Sequence, residues 1–239
     1  MQAPYGLEIS DSCTTCTTRS SGYFCDFDAE LVKAFEALKY ATVFPKGAVL
    51  FVEGQSPRGV FMLCSGRVKL STCSSDGKSI ITRIADAGEI LGISATVSGK
   101  PYMATAETLA PCQVNFIKSE DFVRFLKTNG AACLRVAEHL SNNYHYAFEQ
   151  VRSLGLSHSA GEKLARLMLE WAARNGRETD KGTTVKLTLT HEEIAQLIGT
   201  SRETVTRLLG LFKQKQLIQV KGSNLTICDK PALLAMVNS

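Results

Sequence analysis

The chain has 239 residues, of which 44% are hydrophobic and 21% charged, and its formal net charge is +4. This composition suits a main domain plus a smaller one with conventional cores and excludes a disordered chain. No apolar run reaches the roughly eighteen residues that span a bilayer, and the chain does not open on a basic segment followed by an apolar one, so a cytoplasmic protein without membrane contact is expected.

Residues 1–28 form a cysteine-rich segment. Cys13, Cys16 and Cys25 lie among small polar residues (SDSCTTCTTRSSGYFC) with neither helical nor strand periodicity. Thiols of a cytoplasmic chain stay reduced, so this pattern points to metal binding or redox chemistry more than to a disulfide framework. Two thiolates separated by two residues can share one centre, and Thr, Ser and Gly leave the backbone pliable. Three thiolates do not complete a tetrahedral set, and neither their number nor their spacing separates zinc from iron–sulfur. A reversible Cys13–Cys16 disulfide and a tail with incidental thiols are the alternatives. The fourth ligand has to come from Cys64, Cys73, Cys112, Cys133 or Cys228.

Residues 29–128 read as a β-roll. The runs AVLFVEG, VFMLCSGRVKLS, SIITRI, GEILG, ATAET and CQVNFI between Val43 and Ile117 are apolar or β-branched and are punctuated by glycine. Cys64, Cys73, Cys133 and Cys228 sit in apolar or strand-like contexts and read as small hydrophobes with no assigned role. Residues 129–155 switch to a helical pattern. Cys133, Ala137, Leu140, Tyr144, Ala147, Val151 and Leu154 recur with a 3.5-residue period, the seam of a parallel coiled-coil homodimer. The alternative, a helix packed on its own β-domain, can use a second face of the same helix. Gly155 and the GLSHSA segment that it opens are expected to form a hinge.

Residues 156–239 carry the DNA-binding signature. Ser159 and Glu162 cap one helix, and Thr190 with Glu193 forms a capping box that opens a second. Ile194, Leu197 and Ile198 make its apolar face, Gly199 and Thr200 the turn, and a third helix begins near Ser201. Val205, Leu208, Leu209 and Phe212 form the inner stripe of that third helix, which leaves Arg202, Glu203, Thr206 and Arg207 outside. Arginine can bond guanine in bidentate fashion and glutamate can accept from cytosine, so these side chains suit base reading in the major groove. An ordinary solvated face is the alternative. Two short strands around Lys221-Gly222-Ser223-Asn224 supply a wing. Residues 158–221 carry eleven Lys or Arg against seven acids, whereas residues 1–32 carry five acids against Arg19 alone, so the basic balance lies with the DNA-binding segment.

The SRETVTR stretch, Ser201 to Arg207, with its wing resembles the recognition helix of the CRP/FNR family of transcription regulators. The resemblance implies an α+β chain: a cyclic-nucleotide-binding-like jelly roll, a long dimerisation helix and a winged helix-turn-helix. It places Arg202, Glu203 and Arg207 at the base-reading positions, implies a TGTGA-like half-site, and brings RNA polymerase and double-stranded DNA as partners. The family's FNR-type members bind a [4Fe–4S] cluster through three N-terminal cysteines and one late in the sensory domain. The stretch AETLAPC resembles the segment that holds the fourth, so the implied ligand set is Cys13, Cys16, Cys25 and Cys112 and the implied signal is oxygen or nitric oxide. The gap between Cys16 and Cys25 is longer than FNR's own. Cyclic-nucleotide members clamp cAMP with a Gly-Glu pair and an Arg-Ser pair; Gly88-Glu89 keeps the first, but Lys100-Pro101 stands in place of the second, so cAMP is not expected. Sensing by zinc, haem or another effector remains the alternative. No nucleophile elbow, P-loop or HExxH signature is present, and no enzyme is expected.

Overall fold

The computed structural model describes residues 4–7, 9, 12–16, 24–156 and 159–237. Two compact units divide the chain, Met1–Ala147 and Phe148–Ser239. No helix among the described residues is long and apolar enough to cross a membrane.

The first unit contains α1 (Ala29–Glu36), β1 (Tyr40–Phe44), β2 (Val49–Phe51), β3 (Gly59–Ser65), β4 (Arg67–Cys73), β5 (Ser79–Asp86), β6 (Ile90–Leu91), α2 (Ile93–Ser98), β7 (Thr105–Thr108), β8 (Cys112–Lys118) and α3 (Ser119–Thr128). Two antiparallel sheets, ordered β1-β8-β3-β6 and β2-β7-β4-β5, form the expected β-roll. Phe51, Phe61, Leu63, Val68, Leu91, Ala106, Cys112 and Val114 fill the space between them. Phe51 stacks on Tyr102 at 4.1 Å, and the Tyr102 hydroxyl donates to the Gly59 carbonyl at 2.8 Å. Gly66 lets two strands close on each other: it holds φ +88°, and a Cβ there would stand 2.5 Å from both the Cys112 sulfur and the Pro111 carbonyl.

A second core lies on the outer face of the first sheet. Asp28 caps α1 by accepting from the Leu31 N–H at 2.8 Å, and Leu31, Val32 and Phe35 turn inward. They meet Phe24, Phe27, Val60, Met62, Ile117, Phe122, Phe125 and Leu126. Phe24 lies 5.2 Å from Phe27, 5.5 Å from Phe35 and 5.8 Å from Phe122, spacings at which edge and tilted ring contacts add to burial. Neither α1 nor α3 follows from the strand pattern, because each is little more than two turns and its apolar face is completed by residues distant in sequence.

Helix α4 (Gly130–Leu156) is the long helix expected from the heptads. Ala132 and Val136 are buried against the aromatic layer. Cys133, Ala137, Tyr144, Ala147 and Val151 of the seam are exposed on the single chain, with Leu140 partly covered. The helix therefore has two faces with different fates. It continues through Gly155 to Leu156; Ser157 and His158 of the expected hinge, and the Leu154 side chain, lie outside the described residues.

The second unit holds α5 (Ala160–Asn175), β9 (Arg177–Thr179), β10 (Gly182–Lys186), α6 (His191–Ile198), α7 (Arg202–Gln214), β11 (Ile218–Lys221), β12 (Asn224–Ile227) and α8 (Lys230–Val237). The wing is larger than the expected hairpin, with β11-β12-β10-β9 as one sheet. All three residues of β9 are exposed and charged or polar, so its sequence has no period-two apolar signal to read.

Two measurements probe the first unit. Phe35 is 1% exposed at the centre of the aromatic layer, and Phe35→Ala should cost about 3–5 kcal/mol in urea unfolding. On α4, the His139 ring is pushed down to about 4, chiefly by burial and then by the Arg83 guanidinium, against a hydrogen bond to the Ile90 backbone. The unfolded state then binds more protons between the ordinary histidine range and pH 4, so stability falls as pH drops through that window and levels off below it. His139→Gln should flatten that part of the stability–pH curve.

Candidate functional site

The DNA-reading surface is built from local capping. Thr190 Oγ1 accepts from the Glu193 N–H at 3.2 Å while the Glu193 carboxylate accepts from the Thr190 N–H at 2.8 Å, which fixes the start of α6. Gly199, at φ 67°, ends that helix, and Ser201 Oγ accepts from the Thr204 N–H at 3.2 Å to start α7. Val205, Leu208, Leu209 and Phe212 are buried, as are Ile194, Ala195, Leu197 and Ile198 of α6. Ser201, Arg202, Glu203, Thr206 and Arg207 are exposed together on the outer side of α7.

The exposed set is not chemically uniform. A hydrogen bond from its own backbone N–H, then one from Ser201, holds the Glu203 carboxyl below the usual range, so it stays an acceptor. The Thr206 hydroxyl donates to the Arg202 carbonyl at 3.0 Å and pairs with His191 Nδ1 at 2.8 Å. Thr206 thus ties α7 to the first residue of α6, and a base must compete with these partners for it. His191 is a residue that sequence reasoning leaves out; its place two positions before the capping-box glutamate is the only signal for it. Lys213, Lys215 and Lys221 are also exposed and add cationic character suited to phosphates.

The thiols gather in the other unit. Cys13 and Cys25 are half-buried against the aromatic layer, and so is Cys64. The Cys13 N–H donates to Glu36 Oε1 at 3.0 Å, and its sulfur accepts from Lys39 Nζ at 3.4 Å; Lys39 in turn pairs with Glu36 at 3.3 Å. Glu36 on the last turn of α1 and Lys39 just beyond it therefore anchor the segment. Burial pushes the Cys25 thiol up to about 12, with neighbouring Cys64, Cys13 and Cys16 adding to it. Burial also pushes Cys64 to about 12, with Cys13 and Cys16 adding. Burial raises Cys13 as well, against the pull of Lys39. These thiols are protonated at neutral pH, and a metal has to displace their protons to bind.

Cys112 is elsewhere. It is 0% exposed in the core between the sheets, and its thiol donates to the carbonyls of Ala110 at 3.1 Å and Arg67 at 3.4 Å. The donor chemistry and neighbourhood of Cys13, Cys16 and Cys25 fit a thiolate-bound centre, whereas Cys112 as placed does not reach it. Among the described residues no three Cys, His, Asp or Glu side chains converge tightly enough to hold a metal ion, so the gathered thiols are neighbours and not a closed cage.

The expected nucleotide pair is engaged within the protein. The Glu89 carboxylate binds the Arg83 guanidinium and accepts from the Asp86 N–H at 2.8 Å. Lys100 and Pro101 are exposed.

Two family models match the chain: a cyclic nucleotide-binding domain over residues 41–129 and a Crp-like helix-turn-helix domain over residues 162–236. The "Anaerobic regulatory protein" of Bacillus subtilis is 25% identical over 203 residues, 84% of this chain and 85% of that one. The "CRP-like cAMP-activated global transcriptional regulator" of Mycobacterium tuberculosis is 24% identical over 213 residues, 89% of this chain and 95% of that one. A solved structure of a CooA variant from Carboxydothermus hydrogenoformans aligns with a TM-score of 0.74 at 21% identity, covering 96% of this chain and 98% of that one, and shows the same fold. The matched domains and relatives are those of transcription regulators and not of enzymes. With a nucleotide-binding-type roll before a long helix and a Crp-like helix-turn-helix after it, the chain belongs to the CRP/FNR family of DNA-binding transcriptional regulators.

Proposed function

We propose that this regulator senses oxygen or nitric oxide through a [4Fe–4S] cluster held by Cys13, Cys16, Cys25 and one cysteine of the β-roll, and that a cytoplasmic homodimer reads a palindromic TGTGA-like site. The observation that carries the proposal is that Cys13 and Cys25 pack on one aromatic layer of the sensory unit, with Cys16 an electrostatic neighbour of Cys25. The name of the Bacillus subtilis relative, an anaerobic regulatory protein, agrees with it. Once bound, the cluster supplies a centre that oxygen or nitric oxide can dismantle.

The protein's own residues do the rest. Asp28 and Phe24 fix the chain on either side of Cys25, and Lys39 and Glu36 hold Cys13. Ala132 and Val136 of α4 pack on the same aromatic layer, so an event at the thiols can be felt by the helix that carries the dimer seam. The exposed Tyr144, Phe148 and Val151 on that helix support pairing with a second copy. Shifting such a regulator from mostly off to mostly on requires ligand binding to favour the active state by roughly 5 kcal/mol. Several metal–thiolate bonds are of that order. On DNA, Arg202, Glu203 and Arg207 are proposed to read bases and RNA polymerase to be the protein partner.

Protein purified without oxygen should carry about four iron and four sulfide per chain, the content of one [4Fe–4S] cluster, and lose them in air. Zinc in their place, or no metal with a reversible fall in free thiols, would replace the cluster by a zinc or disulfide sensor and leave the DNA-binding assignment standing. Arg202→Ala and Arg207→Ala should each weaken binding to the cognate site by about 1–3 kcal/mol and relax the preference at one base position, read by competition against single-base site variants. Equal weakening on every sequence would make that arginine a phosphate contact.

A further inference from the structure

We propose that Cys64, and not Cys112, completes the thiolate set with Cys13, Cys16 and Cys25. The assignment rests on the reading of the N-terminal thiols as a metal-binding site. Strand β3 divides two cores: Val60 and Met62 face the aromatic layer, while Phe61 and Leu63 face the space between the sheets. Its pairing with β8 runs Met62 to Asn115 and Leu63 to Val114, then shifts so that Ser65 meets Gln113. Cys64 is the residue at this shift. The pleat gives Cys64 the same face as Val60 and Met62, toward the aromatic layer.

There Cys64 packs on the aromatic layer with Cys13 and Cys25. Its sulfur donates to the Met62 carbonyl at 3.8 Å, and the Met62 sulfur lies 3.5 Å from the Cys25 sulfur, so one methionine is flanked by both thiols. Cys13 and Cys16 are electrostatic neighbours of Cys64, whereas no cysteine acts on Cys112. Cys112 opens β8 opposite Phe44 and points into the other core, against the backbone around Gly66. To meet the other three it would have to leave that core and pass to the far side of a two-sided sheet, since adjacent strand positions face opposite ways. Cys64 already lies on the layer against which Cys13 and Cys25 pack.

Each thiol that binds a divalent ion releases one proton to solvent, and a metal–sulfur bond replaces the S–H bond; no electron is transferred. Cobalt(II) is therefore a suitable probe, because its sulfur-to-metal charge-transfer absorption grows with the number of thiolates. The reduced chain, Cys64→Ser and Cys112→Ser would be titrated with cobalt without oxygen, and the melting of each recorded. Cys64→Ser should weaken cobalt by more than the roughly 100-fold that marks the upper end of losses from outer-shell partners, and should lower the charge-transfer intensity. Cys112→Ser should keep both, or lose them only together with a lowered melting temperature. A Cys112→Ser variant that melts normally but loses cobalt overturns the assignment, as does a Cys64→Ser variant that keeps it.

A second readout needs no variant. Alkylation of the wild-type chain with and without cobalt should show Cys64 protected together with Cys13, Cys16 and Cys25 and the rate at Cys112 unchanged; protection of Cys112 in place of Cys64, or no cobalt binding at all, overturns the proposal. Iron and sulfide analysis of the same samples separates the two readings. Cobalt bound through Cys64 in a chain that never carries iron removes the cluster and keeps Cys64. A cluster retained by Cys64→Ser removes Cys64 and keeps the cluster.

Discussion

A strand buried on both faces has no solvent side on which to place an indifferent residue, and β3 is such a strand. Gly59 to Leu63 are all buried. The pleat sends Phe61 and Leu63 between the sheets and Val60 and Met62 to the helical layer outside. Nearly every other feature of the sensory unit is fixed by that division. Tyr102 and Phe51 can stack only because Phe61 closes the inner core beside them, with Phe51 and Phe61 rings 5.4 Å apart. Phe24, Phe35 and Phe122 can cluster only because Val60, Met62 and Ile117 present an apolar floor. A one-residue slip would exchange the two sets, placing the wrong volumes in both cores at once.

The outer layer has a second task besides burial. It ties a segment rich in small polar residues to a rigid platform, although such a segment has little apolar surface with which to fold by itself. Phe24 and Phe27 flank Cys25 and supply most of the anchoring, and Asp28 converts the chain into α1 immediately afterwards. At the other end of α1, Glu36 and Lys39 reach back to Cys13. The ammonium works against the burial that raises the Cys13 thiol, which favours the thiolate a metal requires. Structural packing and the setting of the Cys13 thiol thus both draw on α1 and the residues just after it.

How much could be read in advance depended on the range of the interactions. The helix-turn-helix was legible because its determinants are local: Thr190 with Glu193, Gly199 in the left-handed region and Ser201 with Thr204 each act within three residues or on one backbone angle. The roll was legible as a class, since β-branched runs broken by glycine have few other solutions. Helices α1 and α3 were not, because their apolar faces are completed by Phe24, Met62 and Ile117 from elsewhere. Strand β9 escaped because exposed Arg177, Glu178 and Thr179 carry no alternation. The pairing of His191 with Thr206 spans fifteen positions and leaves no pattern in the sequence.

The same distinction bears on what a family resemblance transfers. The SRETVTR helix carries its geometry with it, so likeness of sequence there means likeness of surface. A fourth ligand is different, because it is defined by which side of a sheet a sulfur faces and by where a distant loop lies. Residues 64 and 112 stand on neighbouring strands, almost opposite each other across the β3–β8 ladder, yet they open into different cores. The pleat decides which of the two faces the outer layer, and a match of sequence around either cysteine does not record it. Nucleotide recognition obeys the same rule: Gly88-Glu89 is retained as a string, but its carboxylate is already bonded to Arg83 and Asp86, and residues 100–101 offer one point charge and no N–H at the proline. A cyclic nucleotide that used Glu89 would have to draw it from an internal ion pair, and residues 100–101 offer its phosphate no bidentate fork. That contrast agrees with the proposed signal at the thiols, on the outer face of the first sheet.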